Sequence, residues 1–473
     1  MPGKEWGKIP RTDTMTIYLR RYLGRYLGQY LRRTVPSGLQ VSFHWYGMLF
    51  LLVTLVTALS VVWGFTTLAE PNPSTTLTTQ ENWGEAQGLI PEPVLARFQS
   101  GGYQAKIMTL PETLDWGSKF KAASEGNADK FLVDTDGRLI DATTQTYPPF
   151  LYGYPFPQID PHDSQAASKV MYNFSYALMQ ADDIERLSNL HWVSPSALER
   201  VVEFRGQILF YGSRFSGPIE NPDAALRKII IAGVAPGDVV GVATLEWNYL
   251  DPEKWNAIWS YLSQLRRVRR LPSIDGSSSL FGSDLSHDDL YLFSGKVSYF
   301  NWKLIGVQEA LVPYTLPNPK RLQPRKRGYV LENPMRLVMG WEKADWDGLA
   351  WWPVNVHLAR RPVWVVEATP KDPAYAYSRQ VLWIDKELYS GYYKMTYDKA
   401  GQLWRTLLNS VSIGKTADGN FSVAQPDFLL SVDERRNEAT VELPFKQGHE
   451  LSFNVGLSGA FFTPAKFARQ DGR

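Results

Sequence analysis

The chain has 473 residues, of which 44% are hydrophobic and 21% charged, which is typical of a folded protein and unlike a disordered chain or a multi-span membrane protein. The overall net charge is +2, but residues 1–40 carry +6 and residues 41–69 carry none, so residues 70–473 carry −4. The body of the chain therefore gives no charge-based indication of nucleic-acid binding, and the absence of cysteine excludes disulfides and thiolate chemistry.

Residues 1–40 form a basic arm. A Tyr-Leu pair recurs every four residues, beginning at Tyr18, Tyr22, Tyr26 and Tyr30. On a helix this period drifts by only about 40° per repeat, so the Tyr-Leu pairs form one stripe and the arginines another. The pattern favours an amphipathic helix on the anionic cytoplasmic leaflet. A plain topology signal is the alternative, because Gly24 and Gly28 weaken a helix.

An uncharged run follows at 41–69, long and apolar enough to cross a hydrocarbon core of about 30 Å as one helix. The first basic residue after it is Arg97, which four glutamates precede. The positive-inside rule then predicts a single-pass inner-membrane protein with residues 1–40 in the cytoplasm and 70–473 in the periplasm. We predict an uncleaved anchor; a cleaved signal is the alternative, because residues 67–69 (Thr-Leu-Ala) resemble a cleavage site.

Residues 70–100 are rich in Pro, Thr, Asn and Glu, which is typical of a flexible stalk. The remainder, 101–473, is predicted to be one periplasmic domain. Within it, apolar residues of 164–182 recur at helical spacing, with Asp163 and Ser164 as candidate caps.

From about residue 198 onwards the pattern changes to strands. Apolar residues alternate over 238–249, which places Leu245, Trp247 and Tyr249 on one face. The stretch 198–215 fits either a helix or a strand. Because no long helix intervenes, we predict an antiparallel sheet. Further strands are predicted at 296–306, 363–369, 380–385, 391–398 and 403–411.

Several short signatures occur in order along this region. They are WSYL at 259–262, RRVRRLP at 266–272, GSDLSHDDL at 282–290, NWKLIG at 301–306, VPY at 312–314, WVVEAT at 364–369, VLWID at 381–385 and YDKAGQLW at 397–404. In this order they resemble the domain-of-unknown-function family thirteen-twenty-nine, whose members are often labelled outer-membrane lipoprotein-sorting proteins. The resemblance covers most of 100–460.

The resemblance implies an α+β fold similar to that of the lipoprotein-localisation carriers. In this fold a large curved antiparallel sheet (half-barrel), covered by helices, encloses an apolar cavity for acyl chains. It also implies a hairpin of two strands, 257–262 and 268–271. The residues from Asp251 onwards, taken alone, instead look like the start of a helix. Resistance-nodulation-division exporters and outer-membrane β-barrels are the partners that it suggests. The arm and anchor depart from the family and favour a tethered carrier over a free one.

In such a half-barrel, apolar faces of the strands are the natural lining of a ligand cavity. The predicted lining residues are Leu245, Trp247, Tyr249, Trp364, Val366, Tyr393, Met395 and Tyr397. An ordinary packed core is the alternative, because rings at strand spacing usually pack against one another.

Polar clusters give little indication of chemistry. A hard cation could bind to a cluster of four side chains, Asp284, His287, Asp288 and Asp289. The alternative is a short helix with acidic residues in its first turn, capped by Ser283 and Asp284. The histidines are scattered along the chain. No two side chains have a sequence spacing that identifies them as a catalytic acid and base. We therefore predict no enzyme, no metal and no cofactor.

The sequence as a whole favours a carrier or adaptor, tethered to the inner membrane, that shields a lipid or other hydrophobic molecule and works with an envelope exporter. The alternative is a structural or interaction subunit of a membrane complex, with a filled core and no ligand.

Overall fold

The computed structural model describes residues 77–78, 81–110, 114–262, 267–271, 276–332, 336–444 and 451–467. The predicted arm (1–40) and transmembrane helix (41–69) lie outside these residues, so both stay predictions. Across the described part of the chain, no helix is long and apolar enough to cross a membrane.

Most of the described chain is β-strand. The strands are β1 (Leu77–Thr78), β2 (Ala105–Met108), β3 (Phe131–Val133), β4 (Leu139–Asp141), β5 (Asp183–Val193), β6 (Leu198–Phe210), β7 (Ala225–Ala235), β8 (Val242–Tyr249), β9 (Ala257–Leu262), β10 (Arg267–Arg270), β11 (Phe300–Tyr314), β12 (Lys320–Pro324), β13 (Tyr329–Leu331), β14 (His357–Pro370), β15 (Arg379–Asp385), β16 (Gly391–Tyr397), β17 (Leu403–Lys415), β18 (Ser422–Asp433), β19 (Glu438–Leu443) and β20 (Ser452–Phe453). The α-helices are few and short: α1 (Glu92–Gln99), α2 (Ser118–Gly126), α3 (Ala166–Ala177) and α4 (Pro464–Phe467).

All strands except β3 and β4 belong to one large curved sheet. Its main path runs β10-β9-β8-β7-β6-β5-β19-β18-β17-β16-β15-β14-β11, and every pairing along this path is antiparallel. Two short strands pair in parallel, β2 with β14 and β12 with β17. The prediction of a wholly antiparallel sheet is therefore wrong at these two places. Each short strand reaches its neighbour through a long connection, which leaves its direction unconstrained by a hairpin turn.

Each predicted strand is present and in the predicted order, with shifted ends, among twenty strands in the described residues. The ambiguous stretch 198–215 is strand β6, and the hairpin implied by the resemblance is the antiparallel pair β9–β10. At 296–306 the strand begins later than predicted, because Val297–Tyr299 forms a 3-10 turn, and it continues to Tyr314.

Helix α3 confirms the helical spacing of 164–182. Its apolar side chains, among them Val170, Met171 and Phe174, are buried, and the helix packs on β11 and β14. No side chain caps its N-terminus; Asp163 instead accepts a hydrogen bond from the Gln165 amide and forms an ion pair with Lys169.

The second half of the predicted stalk is part of the folded body. Residues 92–99 form α1, whose Val94, Leu95 and Phe98 are buried in a cluster with Trp352 from the loop before β14. The ring centroids of Phe98 and Trp352 lie 5.6 Å apart. The prediction of a flexible stalk is therefore wrong for this part, because a helix with a Pro at its start and three apolar residues on one face finds a core to cover.

Candidate functional site

A long irregular segment crosses one face of the sheet; we call it the strap (residues 276–299). The predicted half-barrel is covered by helices, whereas the described helices are few and short, and this segment covers part of the sheet instead. Its centre is a 3-10 turn, His287–Asp289, in which Ser286 and Asp289 form a capping box. The predicted short acidic helix is thus present, but its cap is Ser286 and not Ser283 or Asp284.

Asp289 ties the middle of the strap to the sheet. Its Oδ1 accepts a hydrogen bond from Lys394 Nζ on β16 at 2.6 Å, and its Oδ2 accepts one from the Tyr377 hydroxyl at 3.0 Å. Both ion-pair partners are fully buried. Burial alone would raise the pKa of Asp289, but the charges of Lys394 and Arg405 outweigh it and lower that pKa. The aspartate is therefore held ionised in the interior.

Asp284 ties the strap to the sheet at a second point. Its carboxylate forms an ion pair with Arg436 and accepts a hydrogen bond from Thr440 Oγ1 on β19 at 3.1 Å. Its carbonyl oxygen accepts one from Ser431 Oγ on β18 at 2.9 Å. Asp284 and Asp289 thus serve as structural anchors. Among the described residues, no group of three or more His, Asp or Glu side chains is placed to hold a metal ion.

Between the strap and strands β5 to β9 lies a cavity of about 400 Å³. On the sheet side its wall includes Phe204, Gly206, Ile208, Ile229, Ile231 and Ile258. On the opposite side the wall comes from Leu290 and Tyr291 of the strap and from Tyr375 in the loop after β14. The space is bounded mainly by apolar and aromatic groups.

The register of the sheet explains why these residues meet. Ile208 on β6 lies opposite Ile229 on β7, Ile229 opposite Glu246 on β8, and Glu246 opposite Ile258 on β9. Directly opposed residues on neighbouring strands point to the same face. One row of the pleat therefore supplies three isoleucines and one carboxylate to the cavity wall.

Asp288 contributes a carboxyl group to the wall of the cavity. Its Oδ2 accepts a hydrogen bond from the Tyr375 hydroxyl at 3.0 Å. Gly276 and Gly295 lie against the carboxyl group, and a Cβ at Gly276 would come within 2.2 Å of it. Burial raises the pKa of Asp288 to about 7, while the Tyr375 hydrogen bond and the Lys394 charge oppose part of that rise. Near neutral pH this group is therefore protonated in part of the molecules.

Arg227 and Lys296 form a polar partition at one end of the cavity. Arg227 donates to Asn248 Oδ1 at 2.7 Å and to the Ser294 carbonyl at 3.1 Å. Lys296 donates to the carbonyls of Asp251 and Lys254 at 2.8 and 2.6 Å, and burial lowers its pKa to about 8. A smaller space of about 110 Å³ lies beyond the partition. A ligand in the main cavity would meet a hydrogen-bonded end wall here.

The predicted lining residues do not form the wall of the main cavity. Leu245, Trp247 and Tyr249 alternate with Glu246, which faces the cavity, so they point to the opposite face of β8. On that face the C-terminal segment covers them: Trp247 Nε1 donates to the Phe462 carbonyl at 2.8 Å. Tyr249 contributes only to the smaller space.

The other five predicted residues belong to packed cores. Trp364 and Val366 lie in one hydrophobic cluster with Phe174 of α3, a helix that contacts β14. The remaining three lie in or against the cluster on the other face of the sheet: Tyr393, Met395 and Tyr397. None of these five residues lines the main cavity or the smaller space, so the predicted cavity lining is not found at either of these two spaces.

The true lining residues carry a weak sequence signal. Phe204, Gly206 and Ile208 alternate on β6, as do Arg227, Ile229 and Ile231 on β7. On β6 the intervening residues are polar or charged, so the alternation is readable there, whereas on β7 the apolar Ile230 lies between Ile229 and Ile231 and hides it. Nothing in the sequence shows that the strap leaves space above this face of the sheet, whereas α3 packs closely against the face that it covers.

The fold and the site define a protein with one large curved mixed sheet and an apolar, strap-covered cavity. The chain belongs to the DUF1329 family of proteins of unknown function, whose family model matches residues 78–466. It is similar to the Pseudomonas aeruginosa protein PA3922, itself uncharacterised, with 27% identity over 178 residues. That match covers 36% of this chain and 35% of PA3922, so the chain matches about a third of its relative's length.

Three solved structures are similar to parts of this chain. A Vibrio parahaemolyticus domain described as an outer-membrane lipoprotein-sorting protein has 17% identity and a TM-score of 0.44, covering 64% of this chain and 97% of that domain. A DUF1329 protein from Desulfovibrio piger has 20% identity and a TM-score of 0.40, with coverages of 60% and 90%. A LolA superfamily protein from Nitrosomonas europaea has 13% identity and a TM-score of 0.37, with coverages of 63% and 97%.

Proposed function

We propose that the protein is a periplasmic carrier or adaptor for a lipid or other hydrophobic ligand, tethered to the inner membrane and working with an envelope exporter. The cavity between the strap and strands β5 to β9 is the observation that carries this proposal. Its volume of about 400 Å³ falls within the range of about 300–1,000 Å³ that small-molecule sites occupy. Most of its surface is apolar, and charged and polar side chains interrupt it; a mostly apolar wall with polar groups is typical of ligand sites.

The rim of the cavity supports entry of an amphiphile. Trp255 lines the cavity and is 52% exposed, and its ring centroid lies 4.8 Å from that of Tyr299. Exposed aromatic rings beside an apolar cavity suit a ligand that arrives from a membrane or a partner protein. The proposed route of loading is thus past Trp255.

The tether rests on sequence alone. The basic arm (1–40) and the apolar run (41–69) would hold the body at the periplasmic surface of the inner membrane. The proposed exporter partner rests on the resemblance to the family, because members of that family are commonly found beside resistance-nodulation-division exporters and outer-membrane β-barrels. A tethered carrier could pass its ligand to such an exporter without leaving the membrane surface.

Ligand content tests the carrier function. We expect solvent extraction of the purified full-length chain to release about one lipid or other apolar molecule per protein, because one cavity of this size holds one ligand. A mock purification from cells without the protein serves as the control. Full-length protein that carries no apolar molecule above the mock level would contradict the carrier and favour the structural subunit.

Membrane topology tests the location. A reporter enzyme that is active only in the periplasm, fused after Arg473, is expected to be active, because basic charge precedes the apolar run and acidic charge follows it. The matched fusion after Leu39, before the apolar run, should be inactive. Activity of the second fusion and not of the first would reverse the proposed orientation.

A further inference from the structure

Two buried side chains in the wall of the cavity carry hydrogen-bond donors without a partner. Arg186 on β5 has a side chain only 6% exposed, and Tyr291 of the strap is 8% exposed. Both line the cavity. Arg186 Nη1 and the Tyr291 hydroxyl have no hydrogen-bond partner among the described residues. The guanidinium carbon lies 5.3 Å from the centre of the Tyr291 ring, so the two side chains are neighbours in the wall.

The contacts of Arg186 explain its position but leave this donor unused. Its Nη2 forms an ion pair with Glu442 of β19 at 2.8 Å, so Glu442 engages the other end of the guanidinium. Opposite Arg186 in the register stands Gly206, whose missing side chain leaves the guanidinium room against the cavity. Buried donors without an acceptor are costly, and a ligand that supplies an acceptor removes that cost.

We propose that Arg186 Nη1 and the Tyr291 hydroxyl bind the carbonyl oxygen of an acyl ligand. This inference rests on the carrier function proposed above and names the chemistry of the ligand: a carboxyl or ester group at the end of an apolar chain. The oxygen lies between the two donors. The chain lies along Ile208, Ile229 and Ile258 towards Trp255.

The layout of the strands fixes the direction of the ligand. Arg186 stands on β5 and Ile258 on β9, four strand spacings away, or about 19 Å along the sheet at about 4.8 Å each. Trp255 precedes β9 and is the exposed member of the wall. The acyl carbonyl therefore lies at the deep end and the tail of the chain near the rim.

Binding of radiolabelled palmitate to the delipidated full-length chain tests the inference. Tyr291→Phe removes one donor and is expected to weaken binding about tenfold without lowering the melting temperature, since its hydroxyl has no partner to lose. Arg186→Lys keeps a positive charge beside Glu442 but loses the paired nitrogen donors of the guanidinium, so we expect a similar loss of affinity. Tyr261→Phe is the matched control, because Tyr261 lies in the cluster with Phe467 on the other face of the sheet and does not line the cavity; its affinity should match that of the parent chain.

Methyl palmitate as a second probe identifies the source of the carbonyl. If the site takes a free carboxylate, palmitate binds more tightly than its methyl ester and loses more affinity in both variants. If it takes an ester, the two probes bind alike and weaken alike. Unchanged binding of both probes in Tyr291→Phe and Arg186→Lys would overturn the inference while leaving the carrier intact. A parent chain that binds neither probe would overturn the carrier function for acyl ligands together with this inference.

Discussion

Ile229→Trp is expected to abolish ligand binding while leaving the protein folded. Ile229 lies in the middle of the cavity wall, between Ile208 and Glu246 in the register. A Trp ring there would enter the cavity and occupy the path of the chain. We expect ligand affinity to fall by at least about a hundredfold and the free energy of unfolding to change by less than about 1 kcal/mol, because open space accepts the ring. Palmitate binding and urea unfolding measure the two quantities.

The neighbouring residue provides the matched control. Ile230 points to the other face of β7, is 2% exposed and belongs to a cluster with Leu245 and Phe462. Ile230→Trp should overpack that core and lower the free energy of unfolding by about 1–3 kcal/mol, while the folded protein still binds ligand. The cavity would be contradicted if Ile229→Trp destabilised the protein as much as Ile230→Trp and spared binding.

Lys394→Met is expected to lower the free energy of unfolding by about 3–5 kcal/mol. The change removes the closest cation of a fully buried pair and leaves the Asp289 carboxylate with Arg405 Nη1 at 4.0 Å. Because Asp289 ties the strap to the sheet, ligand binding should also weaken. Chemical denaturation of the full-length chain gives the stability, and palmitate binding reports on the strap.

An exposed ion pair serves as the comparison. Lys121 and Asp115 lie 3.0 Å apart with side chains 50% and 43% exposed. Lys121→Met should cost less than about 1 kcal/mol, because water screens such pairs. The double variant Lys394→Met with Asp289→Asn should recover part of the loss, since no unpaired charge is then buried. Equal and small effects of Lys121→Met and Lys394→Met would show that the strap does not depend on this anchor.

Strands could be predicted from sequence because alternation is a local property. Trp247 and Tyr249 were rightly placed on one face of β8, and the β9–β10 hairpin followed from the family resemblance. The same alternation does not say which face meets empty space. On β8 the apolar face is covered by the C-terminal segment around Phe462, and the face carrying Glu246 borders the cavity. A purely apolar face was thus a poor guide, since a tightly packed core is the most apolar environment.

The strap could not be predicted for a different reason. Its anchors join residues far apart in sequence: Asp289 with Lys394, and Asp284 with Arg436. No periodicity marks such a segment, and the acidic run at 284–289 looked like a capped helix or a cation site. The donors Arg186 and Tyr291 come together only because the strap crosses the sheet. A sequence pattern limited to one element contains no information on that crossing.

Photocrosslinking in living cells tests the central claim, that this cavity holds an apolar ligand, most directly. A benzophenone amino acid would replace Trp255 at the rim or, as the control, Phe461, whose exposure of 54% is close to the 52% of Trp255. Phe461 lies in the C-terminal segment and does not line the cavity. We expect mass spectrometry of the full-length protein to show an acyl-ligand adduct at position 255 that is absent at position 461. No ligand adduct at position 255, or equal adducts at both positions, would contradict the account.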